Sequence, residues 1–100
     1  MFETFWDDEV GTLTFQLHEG AIFAHATAKQ WNKSVYQKFQ DIWYVAKEEL
    51  LNSGFKEVYV VIPSGDKKLF KFETMFGFKP VKEVDNMLLM VCSTEKQDGN

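Results

Sequence analysis

Asn52-Ser53-Gly54-Phe55-Lys56-Glu57-Val58-Tyr59-Val60-Val61-Ile62-Pro63 holds a helix stop and a buried strand in one short span. Glycine enters the left-handed backbone region without steric cost, so Gly54 reads as the residue that ends a helix. Val58 to Ile62 is an unbroken run of β-branched and aromatic residues. Such a run predicts a strand covered on both faces. Before the stop, Val35, Phe39, Ile42, Trp43, Ala46 and Leu50 recur at helical spacing, which predicts a long amphipathic helix. Ser34-Val35-Tyr36-Gln37 has the capping-box pattern and predicts the start of that helix. Upstream again, Ala21 to Ala28 alternates as a strand, with Ala24, Ala26 and Ala28 on one face and Phe23, His25 and Thr27 on the other. Strand, helix and strand in this order make a right-handed β-α-β crossover.

Thr12, Thr14 and Gln16 alternate with Leu13, Phe15 and Leu17, and His18-Glu19-Gly20 then turns the chain into Ala21 to Ala28. That pair predicts a hairpin. Phe2 to Trp6 reads as a further strand with Asp7-Asp8-Glu9 as its solvated end. Downstream, Pro63-Ser64-Gly65-Asp66 leads into a second helix carrying Leu69, Phe70, Phe72 and Phe76, with Gly77 as its stop. Phe78 to Val81 leads to a last strand, Met87 to Cys92, antiparallel to its neighbours after the turn at Val84-Asp85-Asn86. The fold class is α/β of the α+β kind: a mixed sheet, a β-α-β crossover, two main helices and a C-terminal antiparallel strand. Residues 1–93 form a single domain and 94–100 a polar, frayed tail.

One hundred residues, 45% hydrophobic and 16% aromatic, suffice for one small core. No apolar run reaches the roughly 18 residues of a membrane span, and Met1-Phe2-Glu3-Thr4 lacks the basic start of a secretory signal, so the expected location is the cytoplasm. Cys92 is the only cysteine, and Cys92, His18 and His25 have no recognisable metal-ligand spacing, so no metal is expected. All eleven basic residues are lysine. Specific nucleic-acid readers rely on the planar fork of arginine, so nucleic-acid binding is disfavoured.

The order of elements across residues 21 to 92, with Gly54 ending the long helix and Met75-Phe76-Gly77-Phe78 closing the shorter one, resembles the core of the GNAT (Gcn5-related) N-acetyltransferases. His18-Glu19-Gly20-Ala21-Ile22-Phe23-Ala24-His25 is similar to the strand turn of short GNAT-like proteins encoded by bacteriophages. The resemblance implies acetyl-coenzyme A as cofactor and an amine as acceptor. Measured against the family, the chain lacks the first strand and two N-terminal helices, which implies a truncated acceptor site.

Two family motifs are broken. The pyrophosphate loop, Gln/Arg-x-x-Gly-x-Gly/Ala, falls by count from Gly54 on Ser34, Gln37 and Phe39, and none of them matches. The tyrosine that commonly protonates the departing thiolate, four residues before the glycine of the Gly-Phe pair, is Glu73. A glutamate serves there only if burial raises its pKa by several units, and an ionised, exposed Glu73 on a lysine-flanked helix is the expectation. Lys29, Lys33 and Lys38 surround the N-terminus of the long helix and could replace the loop as phosphate ligands, or be simply solvated. Ser34, Gln37 and the backbone at Ala26 and Thr27 complete the implied coenzyme site. His25 reads either as a general base for the amine or as a packed, hydrogen-bonded side chain. Cys92 reads as an inert core thiol.

Trp6, Trp31, Tyr36, Trp43 and Tyr44 are many large rings for a chain of this length. Trp6 and Trp31 with one of Trp43 and Tyr44 form either an exposed patch for a protein partner or self-association, or a cap on the sheet left bare by the missing helices. The functional expectation is a GNAT-fold protein with lost or weakened catalysis that binds other proteins, as a phage structural or host-directed protein in virion or host cytoplasm. The alternative is an acetyl-coenzyme A-dependent N-acyltransferase using His25 or Glu73 and a non-standard phosphate loop.

Overall fold

The computed structural model describes residues 2–95. Along the chain run β1 (Phe2–Asp7), β2 (Gly11–His18), β3 (Ala21–Ala28), α1 (Lys33–Asn52), β4 (Glu57–Pro63), α2 (Lys67–Met75), β5 (Lys79–Val84) and β6 (Met87–Ser93). They make one six-stranded mixed sheet in the order β1-β2-β3-β4-β6-β5, with the two helices. All neighbours are antiparallel except β3 and β4.

Local chemistry accounts for the elements. Glu19 (φ 50°) and Gly20 (φ 82°) supply the two left-handed residues of a tight β2–β3 turn, and Asp85 (φ 51°) and Asn86 (φ 65°) do the same between β5 and β6. Helix α1 starts earlier than the Ser34 pattern predicts. Asn32 is its N-cap, with Oδ1 accepting from Val35 N at 2.9 Å. Asparagine caps as well as serine does, and here it satisfies the same first-turn amide. Asp66 caps α2 in the same way through Leu69 N.

Both helices lie on one face of the sheet, and the core is there. Leu13, Phe15, Ile22 and Ala24 from the hairpin meet Val35, Phe39, Trp43, Ala46 and Leu50 from α1, with Val58, Val60, Ile62, Met90 and Cys92 beneath. The reason is topological. β3-α1-β4 and β4-α2-β5 are successive crossovers that step the same way across the sheet, and two right-handed crossovers in one direction put both helices on one side.

This corrects the expectation that β4 is covered twice. Its burial alternates: Val58, Val60 and Ile62 are buried, whereas Val61 is 47% exposed and Tyr59 is half-buried. The apolar residues pointing away from the helices have no layer of the chain above them among the described residues. The tail also begins later than expected. Thr94 is buried, its N donating to Lys56 O at 3.0 Å and its Oγ1 to Phe55 O at 2.7 Å. The rest of the expected tail, 96–100, lies outside the described residues.

Candidate functional site

The seam between β3 and β4 organises the site. Strands of eight and seven residues share one ladder pair, Phe23 with Tyr59, and part beyond it toward Ala28 and Pro63. A parted parallel pair is an opening in a sheet, and what fills it decides what the opening can do.

On the helix side it is filled by rings. Phe39 is 5% exposed and touches Trp6 edge-on at 4.9 Å, Trp31 at 6.0 Å, Phe72 at 5.8 Å and Phe76 at 6.0 Å. Gly11 is what lets that ring in: a Cβ there would lie 2.6 Å from Phe39 Cζ and 2.7 Å from Thr27 O. A cavity of about 30 Å³ remains, bounded by Ala24 and Ala26 of β3, Val60 of β4, Phe39 and Trp43 of α1, and Phe72, Glu73 and Phe76. Binding sites for drug-sized ligands are about ten times larger. The Ala24–Ala26 face therefore receives helices and rings, the first of the two readings its small side chains allowed.

Glu73 is the unexpected member. It is 8% exposed rather than solvated, and burial against these apolar walls pushes its pKa up to about 7. The sequence did carry a signal: Leu69, Phe72, Glu73 and Phe76 stand at i, i+3, i+4 and i+7, so Glu73 is on the inner stripe of α2.

The lysines do not gather around a phosphate site. Lys29 Nζ donates to Asp7 Oδ1 at 3.1 Å and to Asp8 O at 2.8 Å, and Lys38 Nζ pairs with Asp8 Oδ2 at 2.7 Å while lying 5.8 Å from the centre of the Trp6 ring. Asp8 is no loose strand end. Its Oδ1 takes the amides of Val10 and Gly11 and its Oδ2 the Trp6 Nε1 proton, and the Lys38 contact leads in holding its pKa down at about 2. Lys33 is exposed on the first turn of α1, apart from that cluster. Ser34 and Gln37, at two of the places counted for the phosphate loop, lie inside α1 rather than in a loop; the actual β3–α1 connection is Lys29-Gln30-Trp31-Asn32, without glycine.

His25 and Glu73 are not brought together. His25 is exposed on the opposite face, with Nε2 3.0 Å from Gln16 Oε1 and its ring 5.8 Å from Phe2. Thr27 shares that face, and Ala26 the helix side. Cys92 is buried beneath Phe76, with its pKa raised by burial. Among the described residues no cluster of His, Cys, Asp and Glu could hold a metal ion, and no helix is long and apolar enough to cross a membrane.

The bare face has an internal order that the register reveals. One row across the sheet reads Phe2, Gln16, Phe23, Tyr59, Val91 and Lys79; the next includes Thr14, His25, Val61, Leu89 and Lys82. The β1–β3 half is thus rich in hydroxyls and amides, and the β4–β6–β5 half is apolar with a lysine margin. At one end Tyr59 Oη donates to Glu57 Oε1 at 3.1 Å, a bond that leads in raising the tyrosine's pKa.

The predicted aromatic patch does not cap this face. Trp43 points into the core and donates Nε1–H to Phe76 O at 3.0 Å, Trp6 packs on Phe39, and Trp31, 49% exposed, rests against Tyr36 and Phe72. Tyr44 is exposed on the outer side of α1. No family model and no curated protein sequence matches the chain.

Proposed function

We propose that this chain is a reduced GNAT-like domain that binds protein through the bare face of its sheet and does little or no acyl-coenzyme A chemistry. The observation that carries the reading is the filled seam. Where the resemblance places the pantetheine arm, Phe39, Phe72 and Phe76 leave about 30 Å³, and two of the three lysines expected at the pyrophosphate are tied to Asp7 and Asp8. The opposite face offers what binding needs, an apolar surface on a rigid sheet. A structural or host-directed role in a bacteriophage belongs to the same proposal.

Two measurements test it. Titration calorimetry with acetyl-coenzyme A at low salt gives no heat and an unchanged melting temperature; micromolar binding overturns the first half. A photo-crosslinking residue at Val61, irradiated in cells producing the protein, gives discrete protein adducts; their absence overturns the second.

The raised pKa of Glu73 favours a second reading, an acetyl-coenzyme A-dependent N-acyltransferase. A carboxyl that is substantially protonated near neutral pH holds a proton where the resemblance puts the departing thiolate. His25, on the other face, would then take the proton of the acceptor amine.

A further inference from the structure

Resting on the reading of the bare face as a protein-binding surface, we propose that the occupant of its β4–β6–β5 half is helix α1 of a second copy of this chain. The contact is head-to-tail: the sheet of one copy receives the outer side of α1 from the next.

Dimensions come first. Three strands at about 4.8 Å spacing make a strip about 14 Å wide, and a helix with its side chains is about 10–12 Å across. One helix covers the strip. The seven residues of β4 extend about 23 Å and the twenty of α1 about 30 Å, so the helix also spans the strip's length.

Composition and charge agree with this pairing. The strip presents Tyr59, Val61, Leu89 and Val91, with Lys79 and Lys82 along the β5 margin. Neither lysine has an ion-pair partner among the described residues. With Val35, Phe39, Trp43, Ala46 and Leu50 turned inward, the outward stripe of α1 contains Asp41, Tyr44, Val45 and Glu48. Tyr44 is 46% and Val45 49% exposed, beside two carboxylates without lysine partners in the same chain among the described residues.

Spacing matches as well. Asp41 and Glu48 are seven residues apart on the helix, about 10 Å. Lys79 and Lys82 lie opposite Val91 and Leu89, two ladder steps, or about 7 Å. Two flexible lysine side chains cover the difference. A helix lying along the strands therefore brings both carboxylates to both lysines while its apolar residues meet Val61 and Leu89.

A contact of this size is weak and heterologous. It buries less than a standard interface, so association belongs in the range of tens to hundreds of micromolar, and each copy keeps a free helix and a free face. The product is a chain or ring rather than a closed two-fold dimer.

The test is sedimentation of the purified protein across a concentration series at low and high salt, with charge-reversed variants. The expected result is mass that rises with concentration beyond a dimer and falls with added salt. Lys79→Glu with Lys82→Glu, and separately Asp41→Lys with Glu48→Lys, each weaken association about tenfold at low salt. Mixing the two variants restores it, because each variant's helix then finds an opposite charge on the other's sheet. Unchanged melting temperatures show that the variants are folded. A constant monomer mass up to about a millimolar, or association indifferent to both reversals, overturns the proposal. In either event, crosslinks from Val61 to some other protein leave the bare-face reading standing, whereas no adducts at all remove both.

Discussion

Glu73→Gln separates a buried acid from a surface one more sharply than any other single change. In the native protein the carboxyl's pKa stands at about 7 against an ordinary 4.5, because burial disfavours its charged form. At about 1.4 kcal/mol per pH unit that difference is worth about 3 kcal/mol. Below about pH 4.5 the group is neutral in both folded and unfolded chains and contributes no penalty. Between pH 4.5 and about 7 the unfolded chain releases the proton and the folded one keeps it, so stability falls as pH rises. Above that window both states are ionised and the folded state bears the full cost. Glutamine has no charge to bury, and whatever its amide costs is the same at every pH. The difference in stability between variant and parent should therefore swing by about 3 kcal/mol in the variant's favour from pH 4.5 to pH 8. For a domain whose total stability is on the order of 5–15 kcal/mol this is a large effect. Urea melts of both proteins at half-unit pH steps measure it. Parallel curves, with no pH-dependent difference, would show that Glu73 titrates as an exposed acid and refute the reasoning.

Gly11→Ala places a methyl group against Phe39 and the Thr27 carbonyl, and should cost about 1–3 kcal/mol in a urea melt; a neutral result would mean that Phe39 is not held in the seam. Lys38→Ala removes the contact that leads in holding Asp8 low, so in a carbon-detected NMR titration the Asp8 carboxyl should move from about 2 toward its ordinary 3.8. Cys92 should resist an aromatic disulfide reagent in the native protein and react only on unfolding, since burial both covers the thiol and disfavours its thiolate. Rapid native labelling would place it outside the core.

Most of the architecture was legible because period and punctuation agree. Leu13 and Phe15 alternate with polar partners, the α1 stripe repeats every three or four residues, and Gly54 (φ 95°) and Gly77 (φ 94°) stand where a left-handed residue ends each helix. The strand Val58 to Ile62 misled because an apolar run reports suitability for burial and not the supply of layers to bury it. With two helices on one side, no third layer of the described chain reaches Val61. Lys29 and Lys38 misled for a different reason: their carboxylates come from the β1–β2 connection, more than twenty residues away in sequence, and only the folded sheet brings them together. Glu73 was legible in principle from its place between Leu69 and Phe76, but its charge argued louder than its spacing.

The single ladder pair at Phe23 and Tyr59 divides the molecule mechanically. Three strands on one side and three on the other are each fully laced by backbone hydrogen bonds, while almost nothing of that kind runs between them. What joins the halves is α1 and one line of side chains: Phe15 from β2, Trp43 from α1 at 6.4 Å, and Phe78 stacked on Trp43 at 5.6 Å. Backbone ladders break one bond at a time, but a packed indole with its proton held by Phe76 O is either seated or out. The domain is two clasped plates with Trp43 as the pin, and its cooperativity is set at that residue.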